Sequence, residues 1–372
     1  MKIFQVHNKY NSYGGEDSVV DEEAKLLRSK KHSIIQIFRD NKKEINNYSD
    51  KISIFKNLPY SKKSTRILKD KLKYYGRPDL VHVHNIFPLW TYSILDFFKE
   101  QKIPIVYTLH NYRIILHKIG LLNKYYEKYG YFKNSKLLTY VISRYLNKKY
   151  FLIKNIDTFI THTDFTKKVF IKYGIESKKI IVKPNFIENT SNHFLSIKKK
   201  NNAIYASRIS KEKGILTLLE ASKKTNLKLD ILGDGPLKNK LLEDCSSNIK
   251  FHGNLNRDQV QKYIRKSKFL VYPSEWYEIF GMTLIEAFNQ ETLVLASNIG
   301  SIKSVVKDKV TGLLFESGNI NDLINKINWI KNNPVKCDKI VKNAKKEFIK
   351  KYTPEENYTQ LLKIYNKTIN AK

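Results

Sequence analysis

The sequence predicts an α/β protein made of two Rossmann-like, doubly wound domains that face each other across a cleft. Three observations carry this expectation. Short apolar runs alternate with segments of helical period, the pattern of strands and crossover helices in a parallel sheet. The chain has 372 residues, more than one typical core accommodates, so two domains of similar size are the natural division. A polar stretch without periodicity, ENTSNHFLSIKKKNN at 188–202, interrupts the pattern before it restarts.

The elements follow in order. Residues 3–6 form a first strand, and the loop YNSYGGEDS comes next. A helix is expected over 19–30, where Val20, Ala24 and Leu27 recur at helical spacing. SIIQIF at 33–38 is a second strand, and strand–helix–strand at this spacing implies parallel pairing. LVHVH at 80–84, residues 105–109 and residues 157–161 are further strands, with a helix at 93–99. After the polar break, AIYASR, LKLDILG, IKFHG, FLVYPS and TLVLAS read as strands. GILTLLEASKK, PLKNKLLEDC, DQVQKYIRKS and MTLIEAFNQ read as the helices between them. A last helix spans 354–369, with Tyr358, Leu361, Leu362 and Tyr365 on one side and proline in its first turn. The expected domains are therefore 1–187 and 188–353, with 354–372 a helix crossing back to the first.

Hydrophobic residues make up 41% of the chain and aromatics 12%, enough for two cores. The formal net charge of +33 means attraction to polyanions. Lys is also the default surface residue throughout, and the basic residues are scattered rather than gathered in one recognition helix. That weighs against a nucleic-acid-binding protein. The basic stretches 62–73 and 118–154, the latter interleaved with Tyr125, Tyr126, Tyr129 and Tyr131, suit docking on anionic lipid or a plain solvated surface equally. No apolar run reaches the roughly 20 residues of a membrane span, and MKIFQVHN lacks the features of a signal peptide. Two cysteines, Cys245 and Cys337, are too few for a disulfide framework. A cytoplasmic protein is the expectation, peripheral at the inner face of the plasma membrane on the lipid-docking reading of those stretches and free of it on the other.

Parallel sheets bind ligands beyond the carboxyl ends of their strands, so the loops there carry the candidate chemistry. Gly14 and Gly15 open the first helix, where paired glycines let amides approach an anion; a plain turn fits them as well. His110 ends a strand and suits a hydrogen bond to a reacting hydroxyl. His82 and His84 alternate onto one face as zinc ligands do, but the sequence offers no evident third ligand, and no metal is expected. Arg208 and Lys213 follow another strand and together suit a diphosphate. Gly233, Asp234, Gly235 and Pro236 form a turn. In EIFGMTLIE, Glu278 stands in a strand-to-helix loop, Phe280 and Gly281 form the bend, and Glu286 falls early in the helix. Amides from Gly281 to Leu284 are a helix N-terminus aimed at phosphate, and the flanking carboxylates accept from sugar hydroxyls. One ligand, a nucleotide diphosphate sugar, accounts for all three parts.

In combination these motifs resemble the family 4 retaining glycosyltransferases of the GT-B architecture over nearly the whole chain. The resemblance rests on GGEDS, DLVHVHN, TLHNYR, KPNFIE, RISKEKGI, LGDGP, FHGNL, EIFGMTLIEAF and VTGLLF. It implies that Glu286 binds the ribose hydroxyls and Glu278 the donor sugar. Amides of Phe280, Gly281, Met282 and Thr283 would contact sugar and phosphates, and Arg208 and Lys213 would neutralise the leaving diphosphate. Gly14 and Gly15 would approach it from the other domain. Gly253, Asn254 and Leu255 would contact the base, His110 the donor sugar, and His84 and Asn85 the acceptor. The chain departs from the family pattern at Glu291, Leu293, Lys303 and Ser304, and it lacks cysteines near Leu116.

The implied reaction moves a hexosyl group from a UDP- or GDP-sugar to a hydroxyl of a glycan or lipid-linked glycan, with retention. It would belong to cell-envelope polysaccharide synthesis and need no cofactor. A double-displacement route would need a carboxylate nucleophile, for which the first domain's cleft loops offer Glu16 and Asp17. The family's usual route is front-face attack, with the leaving phosphate accepting the proton. A nucleotide-sugar 2-epimerase of the same architecture is the alternative enzyme.

Overall fold

The computed structural model describes residues 1–10, 14–57, 60–118, 153–189, 201–243 and 246–371. The aromatic cluster at Tyr125–Tyr131, most of the polar stretch 188–202 and Cys245 lie outside the described residues. The chain divides into two compact units. Unit 1 comprises 1–162, 166–183 and 357–372, and unit 2 comprises 163–165 and 184–356.

Unit 1 is built on a six-stranded parallel sheet in the order β2-β1-β3-β4-β5-β6. Its strands are β1 (Lys2–Lys9), β2 (Ser33–Asp40), β3 (Leu80–Val83), β4 (Ile105–Thr108), β5 (Thr158–Thr161) and β6 (Ile180–Val182). Helix α1 (Gly15–Ser29) buries Val19, Val20, Ala24 and Leu27, the stripe that its spacing announces, and Glu23 with them. α2 (Lys62–Tyr75) is capped by the Ser61 side chain and buries only Ser64 and Leu68. α3 (Ser93–Glu100) buries Ile94, Leu95, Phe97 and Phe98. α4 (Asp164–Lys172) follows β5. The C-terminal helix Pro354–Asn370 belongs to this unit from Asn357 onward. Its Leu361, Ile364 and Tyr365 share a core with Ile3, Ala24, Leu80, Val106 and Ile160.

Unit 2 repeats the plan with the order β12-β11-β10-β7-β8-β9. The strands are β7 (Ala203–Ala206), β8 (Leu229–Leu232), β9 (Ile249–Gly253), β10 (Phe269–Tyr272), β11 (Leu293–Ser297) and β12 (Leu313–Phe315). One face is covered by α5 (Ile215–Thr225) and, later in the chain, Ile320–Asn332, which share a core with Tyr205, Ile231 and Val271. The other is covered by α6 (Arg257–Lys266) and α7 (Met282–Asn289), through Ile264, Leu284, Ile285 and Phe288. Polypeptide between β10 and β11 thus returns over one face, and between β7 and β8 over the other, which is the doubly wound arrangement.

No described helix is long and apolar enough to cross a membrane. Strands β6 and β12 and the helices Lys62–Tyr75, Ile320–Asn332 and Pro334–Lys351 add to the elements expected from the sequence. The first helix begins at Gly15, four residues before its expected start, because Gly14 and Asp17 cap it: the Gly14 amide donates to Asp17 Oδ2 at 3.0 Å.

Candidate active site

In unit 2 the loops after β7, β8, β9 and β10 collect at one edge of the sheet. Two glycines let them touch. Gly214 holds φ +70°, and a methyl group there would lie 1.8 Å from the Pro273 carbonyl oxygen. Gly233 holds φ +124°, and a methyl group would lie 2.2 Å from the Ser207 carbonyl oxygen. Both left-handed conformations favour glycine, so the loops bearing Lys213 and Glu278 pack backbone against backbone.

That packing sets the first pair. Lys213 Nζ donates to Glu278 Oε1 at 2.6 Å, and Ser274 Oγ donates to the same oxygen at 2.8 Å. Arg208 follows β7 with an exposed side chain, and its carbonyl accepts from Tyr205 Oη at 2.7 Å. Buried Phe280 packs edge-on against Tyr352, ring centroids 5.9 Å apart. It anchors the turn at Gly281, whose φ of +96° starts α7 without a side-chain cap. The Met282 and Thr283 amides therefore head a helix whose N-cap residue, a glycine, has no side chain to bond them. Thr283 Oγ1 donates to the Ala206 carbonyl at 3.3 Å, tying that N-terminus to the end of β7. Glu286 is half-buried in the same helix. Burial raises its carboxyl above the ordinary range, and Arg257 draws it part of the way back. Gly253 ends β9 at φ +69°, its carbonyl accepting from the Gly233 amide at 2.8 Å, and exposed Asn254 and half-buried Leu255 follow.

Unit 1 gathers histidines at the ends of its strands. His84 Nδ1 and His110 Nε2 lie 3.0 Å apart, and the His110 and His162 rings are 5.4 Å apart. Burial, then the neighbouring imidazoles, hold both His84 and His110 well below the usual imidazole range, so both are neutral at neutral pH. Asn85 is buried and engaged with backbone: Nδ2 donates to the Asn8 and Phe87 carbonyls, and Oδ1 accepts from the Phe87 amide. Gly15 is exposed, with open space where a methyl group would stand.

The two acids considered as nucleophiles are occupied. Asp17 accepts from the Gly14 amide and lies 2.9 Å from His7 Nε2. Glu16 accepts from Tyr10 Oη at 2.8 Å, and Tyr10 Oη accepts from Arg113 at 3.0 Å. Burial raises the Glu16 carboxyl despite His7 and Tyr10, which favours the neutral form, a poor nucleophile. The guanidinium of Arg113 also stands over the rings of Tyr10 and Phe87, 5.2 and 5.8 Å from their centroids.

One expectation is corrected. The His82–His84 pair does have a third potential ligand beside it, the acid Glu23, whose carboxylate is clustered with both imidazoles. Lys183 Nζ donates to Glu23 Oε2 at 3.2 Å and supplies the positive charge that a cation would bring. Burial pushes the Glu23 carboxyl up, but Lys183 and His82 more than reverse it and hold it far below the ordinary range. Both His82 nitrogens have hydroxyl neighbours, Tyr365 Oη and Thr108 Oγ1, each at 2.7 Å. Glu23 was visible in the sequence only as an acid on the apolar stripe of α1. Lys183 was visible only as a cation immediately after the apolar strand IIV.

Comparison with known proteins agrees with this architecture. Residues 13–190 match the family described as Glycosyltransferase Family 4, and residues 186–347 match Glycosyl transferases group 1. An uncharacterized glycosyltransferase of Methanocaldococcus jannaschii is 27% identical over 77% of this chain and 75% of its own length. The N-acetyl-alpha-D-glucosaminyl L-malate synthase of Bacillus anthracis is 28% identical over 83% of this chain and 82% of its own. Among solved structures, the sucrose-phosphate synthase of Thermosynechococcus elongatus superposes with a TM-score of 0.74 at 17% identity, covering 100% of both chains. Anabaena HepE in complex with UDP-glucose superposes at 0.71 and 15% identity, covering 99% of this chain and 100% of that one. These are GT-B glycosyltransferase folds. The two family matches together run from residue 13 to residue 347, and the chain belongs to the glycosyltransferases, family 4 over its first half and group 1 over its second.

Proposed function

We propose that this enzyme transfers a hexosyl group from a UDP- or GDP-sugar to a hydroxyl of a glycan or lipid-linked glycan, with retained configuration, in cell-envelope polysaccharide synthesis. The observation that carries the donor assignment is the uncapped N-terminus of α7 with Lys213 and Glu278 paired beside it and Glu286 inside it. A pyrophosphate meets that helix end. Arg208 and Lys213 take up the charge that develops on the leaving diphosphate, an electrostatic contribution of the kind that dominates many barriers. They do there what a divalent cation does in other transferases. The UDP-glucose held by the Anabaena protein supports a nucleotide-sugar donor.

Retention follows from front-face attack, in which the leaving phosphate accepts the proton of the incoming hydroxyl. The bonded state of Asp17 and the neutral tendency of Glu16 support that route over a covalent one. On the acceptor side, α2 carries exposed Lys62, Lys63, Arg66, Lys69 and Lys73, and Tyr74 is 81% exposed. A basic helix of this kind suits an anionic lipid surface and hence a lipid-linked acceptor.

Thermal-shift screening against nucleoside diphosphates and their sugars is the test. Stabilisation by UDP or GDP that disappears in Glu286→Ala, with the fold intact, supports the reading. Equal shifts in both proteins would remove the donor site from α7. Flotation with anionic liposomes at low salt tests the lipid-facing part.

A further inference from the structure

We propose that Gln5 is a positioning residue that, acting through His84, keeps the side-chain proton of His110 on Nδ1. The inference deepens the reading in which His110 contacts the donor sugar, and rests on it for its catalytic meaning.

The hydrogen bonds fix each group in turn, starting from atoms whose roles are unambiguous. Arg28 has only donors, and its Nη2 lies 3.2 Å from Gln36 Oε1. The other end of that amide, Gln36 Nε2, therefore donates to Gln5 Oε1 at 2.9 Å. Gln5 Nε2 donates to the Val20 carbonyl at 3.2 Å, and a carbonyl only accepts. Both ends of the Gln5 amide are thus assigned independently of any histidine. Its remaining N–H points to His84 Nε2 at 3.3 Å, which must be the bare nitrogen of a neutral ring. His84 then carries its proton on Nδ1 and donates to His110 Nε2 at 3.0 Å. His110 accepts there, and the nitrogen that bears its own proton is Nδ1.

Glu23 pulls the other way. Its Oε1 lies 3.8 Å from His84 Nε2 and favours a proton on that nitrogen. That separation is too long for a hydrogen bond, whereas a protonated Nε2 would set two N–H groups against each other across 3.3 Å. Gln5 wins. The consequence is chemical: through Nδ1, His110 offers a hydrogen bond to a ligand oxygen and does not take a proton from one. Glutamine at position 5, on strand β1 inside the sheet between β2 and β3 and with apolar neighbours Phe4 and Val6, has this task as its reason to be there.

The test is a two-bond proton–nitrogen spectrum of the full chain labelled with nitrogen-15 histidine, which distinguishes bare from protonated ring nitrogens. His110 is assigned among the 9 histidines by the signals lost in His110→Asn. A protonated Nδ1 and bare Nε2 in the wild type is the expected result; the opposite pattern overturns the proposal. In Gln5→Glu the new carboxylate accepts from His84 Nε2, so both rings should exchange the roles of their two nitrogens. Gln5→Met, which keeps the bulk and removes the amide, should leave His110 in a mixture of tautomers. An unchanged His110 pattern in either folded variant also overturns it. The spectrum needs no substrate, so it stands or falls separately from the donor site, which the nucleotide screen decides.

Discussion

Lys213 Nζ and Glu278 Oε1 stand 2.6 Å apart, both largely shielded from solvent, in loops that only a glycine at 214 allows to meet. The cation proposed to receive the leaving diphosphate is thus held in place, before any ligand arrives, by the carboxylate proposed to hold the sugar. Replacing Lys213 with Met should lower transfer by roughly 100- to 1,000-fold, the range for losing one preorganised electrostatic partner. The circular dichroism spectrum should stay that of the wild type. A loss under tenfold would mean that Lys213 only holds Glu278.

Glu286 has a carboxyl raised by burial. If its ionised form accepts from ribose hydroxyls, UDP or GDP affinity should weaken as pH falls through that raised value. Glu286→Gln should bind more weakly at neutral pH and lose this dependence. Titration calorimetry at several pH values reads both.

Two glycines should respond oppositely to alanine. Gly214→Ala incurs the left-handed penalty of about 1–2 kcal/mol and must also move the Pro273 carbonyl, so its melting temperature should drop clearly. Gly15→Ala meets open space at the first position of a helix, where alanine is favoured over glycine by less than the about 1 kcal/mol of a helix interior. Its stability should hold or rise, while transfer falls if Gly15 approaches the donor.

The buried Lys183–Glu23 pair is expected to behave as a unit. Lys183→Met alone should destabilise by about 3–5 kcal/mol, because it strands a buried carboxylate. Adding Glu23→Gln should recover most of that loss. Urea unfolding of the two single variants and the double variant measures the coupling.

Burial lowers His162 to about 4, below an unfolded value of roughly 6.5. Between those values the unfolded chain binds a proton that the native chain does not. Stability should therefore fall as pH drops from about 6.5 toward 4, by at most about 1.4 kcal/mol per pH unit for this group. Glu16 and Glu286, raised by burial, contribute in the opposite sense over part of that range. The difference between wild type and His162→Gln isolates the histidine, and the variant should show the shallower decline.

Both sheets were legible from the alternation of apolar runs and helical stripes, because periodicity of side chains is a local signal. The loop-to-helix turn that carries Glu278, Gly281 and Glu286 was legible for the same reason: these residues lie within a few positions of one another, and the helix start follows from the glycine. What the sequence left hidden depends on distant partners. Glu23 meets Lys183 across 160 residues, and Gln5 meets His84 across 79; no spacing rule joins them. Strands β6 and β12, of three residues each, are too short for alternation to declare itself. Asn85 looked available in the motif VHVHN but spends its amide on backbone, a choice set by the turn after β3.

The C-terminal helix has a consequence for biosynthesis. His82 bonds Tyr365, and Thr158 bonds Thr368, so the apolar face of the first sheet is closed by residues that a ribosome adds only after the whole of 184–356. All of 184–356 is translated before that cover exists. Nascent chains usually complete their domains in the order in which they emerge; here the second unit has its full sequence first, and the first waits, half clothed, for the residues after 356.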